Sequence, residues 1–162
     1  MTTVHEEHMT KHSLELFADY FQFYLQDEAA TGDLSDAWTP EAVEQLLAIG
    51  PGVVGVGTVR NVDVPVEIEL VNGPPATDLT GWDRVNECTL DVPSGRIVVA
   101  GCTDYFPEAM RISVAPGTYR ARVYYGGLKT VSENGLEGED RYRIALWRAS
   151  ASPPVILKAP VT

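Results

Sequence analysis

The stretch His12-Ser13-Leu14-Glu15-Leu16-Phe17-Ala18-Asp19-Tyr20-Phe21-Gln22-Phe23-Tyr24-Leu25-Gln26-Asp27 decides the fold. It holds three of the four phenylalanines and two of the seven tyrosines. Leu14, Leu16 and Ala18 alternate with Glu15, Phe17 and Asp19, the period of a half-buried strand. Phe21, Phe23 and Leu25 then alternate with Gln22, Tyr24 and Gln26 in the opposite phase. One extra residue re-aims every later side chain, so this flip predicts a bulge or bend near Asp19-Tyr20. The segment reads as one long, bent strand crossing from one part of a β core to another. A helix fits less well: aromatics lose rotamer freedom there, and no apolar stripe at helical spacing is clean.

Beyond it, Trp38-Thr39-Pro40-Glu41 opens a predicted helix over residues 40–49. Thr39 suits the N-cap, Pro40 the first helical position, and Glu41 the positive end of the helix dipole. Val43, Leu46 and Leu47 form its expected buried stripe, and Gly50-Pro51 its stop. From there the pattern is β. Val53 to Arg60 is a Gly-interrupted strand. In the next, Val62, Val64, Val66, Ile68 and Leu70 alternate with Asp63, Pro65, Glu67 and Glu69. Pro65 cannot donate to a ladder, which predicts an edge or a bulge.

Val85–Val92 and Ile97–Cys102 read as a hairpin about Ser94-Gly95. A two-residue turn pairs Cys88 with Gly101 and a three-residue loop pairs it with Cys102; only the second allows a disulfide. The first sets bulkier residues opposite one another and is favoured. Strands at 110–114, 119–125 and 141–148 follow, with a short edge strand at 155–157. The sum is an all-β, mainly antiparallel β-sandwich of about eight strands with one short helix. Residues 1–11 read as a flexible arm and 12–162 as a single domain.

No apolar run reaches the length needed to span a bilayer, and the polar N-terminus lacks signal-peptide character, which predicts a cytoplasmic protein. Two cysteines are too few for a disulfide scaffold. The net charge is −11, and it is uneven: residues 1–95 carry 17 acids and 3 bases, residues 96–162 carry 6 acids and 9 bases. Such a balance disfavours direct nucleic-acid binding, because phosphates would be repelled. It suits solubility and a basic protein partner.

Few chemistries fit. The three histidines, His5, His8 and His12, all lie at the start, so a His-dependent nucleophile pair would have to borrow from the arm. With Glu6 and Glu7 they form a weak candidate metal cluster. Neither a nucleophile elbow nor a phosphate loop is present. Gly50 to Gly57 follows a helix and enters a strand, the reverse of a phosphate cradle. Asp19 and Asp104 are candidate acid–base carboxylates, with turn-capping the plainer role. A carboxylate beside Cys102 works against a reactive thiolate. Arg120, Arg122, Arg141 and Arg143 alternate on two strands, and pairing with the acids of 63–69 is favoured over anion binding.

Tyr20-Phe21-Gln22-Phe23, Trp38-Thr39-Pro40-Glu41-Ala42-Val43-Glu44, Arg60-Asn61 before an alternating strand, and Ile112-Ser113-Val114-Ala115-Pro116-Gly117-Thr118-Tyr119 together resemble the competence-associated nuclease inhibitor family (ComJ, or Nin). The resemblance covers roughly residues 13 to 125. It implies a non-enzymatic protein with no cofactor and no catalytic residues to transfer, which blocks a nuclease by contact. The chain departs from the family in its acidic loop before Asp140 and the Arg/Trp-rich strand after it.

Together with the charge, this predicts an acidic binding protein for a basic nuclease or toxin. Its contact acids would be Asp27, Glu28, Asp33 and Asp36, or Glu133, Glu137, Glu139 and Asp140. A small-ligand or carbohydrate-binding sandwich, with Trp38, Trp82, Tyr105 and Trp147 as stacking residues, is the alternative. A carboxylate- or metal-dependent enzyme is the third reading. Homodimerisation stays open.

Overall fold

The structure, a computed structural model, describes residues 10–31 and 34–160. Among them are eleven strands and one α-helix, in the order β1 (Thr10–Phe17), β2 (Gln22–Asp27), α1 (Pro40–Gln45), β3 (Leu47–Gly50), β4 (Val53–Gly57), β5 (Asp63–Leu70), β6 (Arg84–Val92), β7 (Arg96–Gly101), β8 (Met110–Ser113), β9 (Gly117–Gly126), β10 (Arg141–Arg148) and β11 (Val155–Lys158). They form two sheets, ordered β1-β5-β10-β9-β6-β11 and β3-β4-β2-β7-β8. Every pairing is antiparallel except β10 with β5. This is an all-β sandwich without barrel closure. β1 begins at Thr10, inside the stretch read as an arm.

The opening stretch does cross the core, as its phase flip predicts. It does so as two strands in different sheets rather than one bent strand. Between them Asp19–Phe21 makes a single 3-10 turn in which Tyr20 (φ 62°) and Phe21 (φ 60°) are left-handed. That turn rephases the chain: Leu16 and Ala18 point inward from one side, Phe23 and Leu25 from the other. Phe23 and Leu25 are fully buried, which contributes about 2 kcal/mol each. Phe21, expected in the same apolar phase, is exposed instead.

Local expectations fail where tertiary pairing overrides them. The helix ends after Gln45, and Leu46 takes the left-handed cap position expected of Gly50. Leu47–Gly50 is then an edge strand that pairs with β4, so Val43 is exposed and Leu47 is buried from a strand. The Leu46 carbonyl accepts from the Tyr125 hydroxyl (2.6 Å), and the Gln45 carbonyl from Asn86 Nδ2 (2.8 Å). These bonds from the facing sheet stop the helix early. Pro51-Gly52, with Gly52 at φ 72°, becomes the β3–β4 turn.

The expected hairpin at Ser94-Gly95 is absent as well. β6 lies in one sheet, between β9 and β11, and β7 in the other, between β2 and β8. Their turn crosses between sheets, so neither cysteine register exists. Cys88 is buried in the core, Cys102 is exposed, and both thiols are free. Pro65 sits on an interior strand; the β10 ladder begins at Val66, so the residue without an N–H falls just outside it. The strand count rises from about eight because the opening stretch is split and β3 forms within the expected helix, while the edge strand expected at 155–157 forms as β11.

Two outcomes follow. Gly101 packs against the Phe17 backbone, and a Cβ there would overlap the Phe17 carbonyl oxygen. Gly101→Ala should therefore lower stability by about 1–3 kcal/mol in urea unfolding. Burial pushes the Cys88 thiol from 9.0 up to about 12. A raised folded-state pKa gives stability that is fully present below pH 9 and lost as pH rises toward 12, where only the unfolded chain ionises. Cys88→Ala should accordingly flatten the fall in unfolding midpoint between about pH 9 and 11.

Candidate protein-binding surface

Much of the basic charge on the larger sheet is used by the fold. Arg120 and Arg122 both bind Glu87, at 2.8 and 2.9 Å. They also donate to the carbonyls of Ser152, Pro153 and Pro75, which pins two flanking segments over the outer face of the larger sheet. Arg143 pairs with Glu69 at 2.6 Å and lies over the Tyr124 ring, and Arg141 stacks on Trp82 at 4.4 Å. Lys11 meets Glu67 at 3.2 Å. Of the four alternating arginines only Arg143 meets the acids of 63–69 as expected; Arg120 and Arg122 pair elsewhere, and Arg141 has a ring and the Gly81 carbonyl but no carboxylate among the described residues. Glu87, not Asp63, is the acid that takes two of them.

The predicted contact acids divide by environment. Asp27 is buried and accepts from Ser94 Oγ (2.6 Å), Ser94 N (3.0 Å) and Ala29 N (3.1 Å), so it clamps the end of β2 to the β6–β7 turn. Asp140 is also buried: it accepts from the Tyr142 hydroxyl (2.7 Å) and pairs with Arg60. Burial and then the Asp140 bond push the Tyr142 hydroxyl well above its usual range. Both carboxylates serve as internal struts and offer no surface to a partner. Glu28 is half-buried between Arg111 (2.8 Å) and Arg96 (3.6 Å), which hold its carboxyl below the usual range. Asp36, Glu133, Glu137 and Glu139 are exposed and join no ion pair among the described residues. Asp33 lies outside the described residues, as do His5 and His8. His12 is half-buried on β1, opposite Ile68. Among the described residues no group of three or more His, Cys, Asp or Glu is placed to hold a metal ion.

The candidate stacking residues do not converge. Trp147 is buried under Arg122, and Trp82 packs on Tyr124. Trp38 donates to Gln22 Oε1 (3.0 Å) beside a groove of about 320 Å³ on the outer face of the smaller sheet. Tyr105 is exposed on the β7–β8 loop.

One cluster escaped the residue-by-residue reading. Phe17, Tyr20 and Phe21 are exposed at the sheet crossing, and Tyr105 lines a groove there with Leu16, Asp104 and Glu108. Asp19 caps the Tyr20 N–H (3.1 Å) and Asp104 the Gly101 N–H (2.8 Å), the turn roles expected of them. Burial and then these two carboxylates push the Cys102 thiol up. Left-handed geometry costs roughly 1–2 kcal/mol per residue with a Cβ, so two consecutive aromatics in it are costly. The sequence signal was available: Phe21 in an apolar phase next to a predicted bend.

No family model and no curated protein sequence matches the chain. Its architecture does have solved counterparts. The chain shares its fold with ComJ. That protein, from Bacillus subtilis, is described as the inhibitor of the DNA-degrading activity of NucA; the likeness has a TM-score of 0.68 at 18% identity, covering 87% of this chain and 98% of that one. A second structure, that of crocagin biosynthetic gene J, aligns with a TM-score of 0.56, also at 18% identity, over 88% of this chain and 97% of the other. The ComJ-like order of motifs is therefore borne out as a shared fold. No helix among the described residues is long and apolar enough to cross a membrane.

The strut role of Asp140 can be measured directly. Asp140→Asn leaves Arg60 facing a neutral group in a site where both side chains are almost dry. Unfolding should show a loss of about 3–5 kcal/mol. A loss below about 0.5 kcal/mol would mean that the pair is solvated as an ordinary surface bridge.

Proposed function

We propose that this chain is an acidic, cytosolic, non-enzymatic binding protein that blocks a basic nuclease or toxin by protein–protein contact. The observation that carries the reading is the unequal use of charge. The alternating arginines Arg120, Arg122, Arg141 and Arg143 are tied to Glu87, Glu67, Glu69 and aromatic rings, whereas Asp36, Glu133, Glu137 and Glu139 face solvent without ion-pair partners among the described residues. A net charge of −11 is thereby expressed outward. The fold shared with a nuclease inhibitor supports the same reading.

Physically, exposed carboxylates meet the arginines and lysines with which a nuclease holds phosphates. Opposite fields steer encounter and raise the association rate, and salt weakens the effect. No covalent step is involved, so inhibition is stoichiometric and reversible.

The test uses extract from the source cell digesting plasmid DNA, with and without the purified chain. We expect stoichiometric protection of the plasmid near 0.1 M salt. The protection should fade toward about 1 M, where the screening length shrinks to about 3 Å, judged against the extract alone at each salt. Undiminished digestion at every salt and at large excess of the chain would overturn the proposal.

A further inference from the structure

We propose that the end of the sandwich formed by the β1–β2 crossing and the β7–β8 loop is the partner-contact face, a receptor for arginine and lysine side chains on a basic protein. This rests on the binding function proposed above and locates its surface away from the acidic loops.

Three observations converge there. The four aromatic side chains that are strongly exposed, Phe17 (42%), Tyr20 (69%), Phe21 (52%) and Tyr105 (68%), all lie at this end; the other aromatics are buried or half-buried. The crossing needs a left-handed backbone at positions 20 and 21 but does not need rings, since glycine adopts that backbone freely. Aromatic side chains held there and turned to solvent do nothing for the core.

The second observation is charge. Asp19 adjoins the rings in sequence, Asp63 is the cross-strand neighbour of Phe17, and Asp104 and Glu108 line the groove with Tyr105. None of these four acids joins an ion pair among the described residues, and two cations of the adjoining segments are engaged elsewhere: Arg60 with Asp140, and Arg111 with Glu28 and the carbonyls of Phe106 and Ala109. An arriving guanidinium would find ring faces and carboxylates without a resident competitor. Guanidinium groups stack on aromatic faces and donate paired N–H bonds to carboxylates, so rings surrounded by acids suit arginine in particular.

The third is contrast. The acidic β9–β10 loop carries Glu133, Glu137 and Glu139 but exposes a single large apolar residue, Leu136. Binding energy concentrates on a few aromatic anchors at the centre of an interface, with charges at the rim. Only the crossing has that make-up among the described residues.

The probe is a fluorescent nona-arginine peptide at low salt, with nuclease protection as a second readout. Tyr20→Gly combined with Phe21→Gly keeps the left-handed backbone, and Tyr105→Ala trims an exposed loop side chain. This triple variant should melt at or above the wild-type temperature and bind the peptide about tenfold more weakly. Glu133→Gln, Glu137→Gln and Glu139→Gln together remove three charges, yet should cost less affinity than the charge-neutral aromatic triple. Should the aromatic triple misfold, Tyr105→Ala alone, compared with Glu137→Gln alone, decides in the same sense. An aromatic loss equal to or smaller than the glutamine loss overturns the contact face while leaving the binding function standing. A wild-type chain that neither binds the peptide nor protects DNA overturns both.

Discussion

The sandwich depends on one turn between its two sheets. Between Phe17 and Gln22 the chain must leave one sheet, enter the other, and still aim apolar side chains at the shared interior. A strand cannot do this while keeping its alternation, because a change of sheet reverses which face is inside. Two left-handed residues, Tyr20 and Phe21, supply the reversal. The turn is held by Ala18 N–H to the Val62 carbonyl (3.0 Å), Thr58 N–H to the Phe21 carbonyl (2.9 Å) and Phe21 N–H to Asn61 Oδ1 (3.3 Å). From this point β2 enters between β4 and β7, while β1 stays at the edge beside β5.

A second constraint sorts the charges. A sheet face cannot be covered by loops unless their backbone carbonyls find donors, and arginine supplies several donors in a fixed fork. Arg120 and Arg122 bind one glutamate and three loop carbonyls, so cover and sheet become one unit. The same economy appears at Arg60 and Asp140, which tie the β9–β10 loop to the approach of β5. A protein with 23 acids and 12 bases that spends its arginines this way presents acids to solvent. Architecture and surface charge are therefore consequences of one allocation of side chains.

The candidate site shows where a one-dimensional reading stops. Asp27 and Asp36 look alike within an acidic, small-residue stretch, yet Asp27 is buried on Ser94 and Asp36 is exposed. Glu139 and Asp140 are neighbours with opposite fates for the same reason. Leu46 likewise reads as helix interior, but a tyrosine and an asparagine from the facing sheet capture the adjacent carbonyls and end the helix there. In each case a partner distant in sequence outweighs the local preference.

By itself the sequence determined what depends on neighbours along the chain: the alternation of strands, the N-cap at Thr39, the rephasing near Asp19-Tyr20 and the excess of acid. These follow from the strand period of two, the geometry of one peptide turn and simple charge counting. Only the tertiary structure decided which strands pair, that β6 and β7 part into different sheets, and which carboxylates are struts. Those outcomes rest on contacts such as Arg60 with Asp140, 80 residues apart, or Arg111 with Glu28, 83 apart. A carboxylate carries no local mark of whether a distant arginine will reach it. The exposed rings at the crossing belong to both accounts: the phase flip marked the turn, and folding alone left its aromatics in solvent.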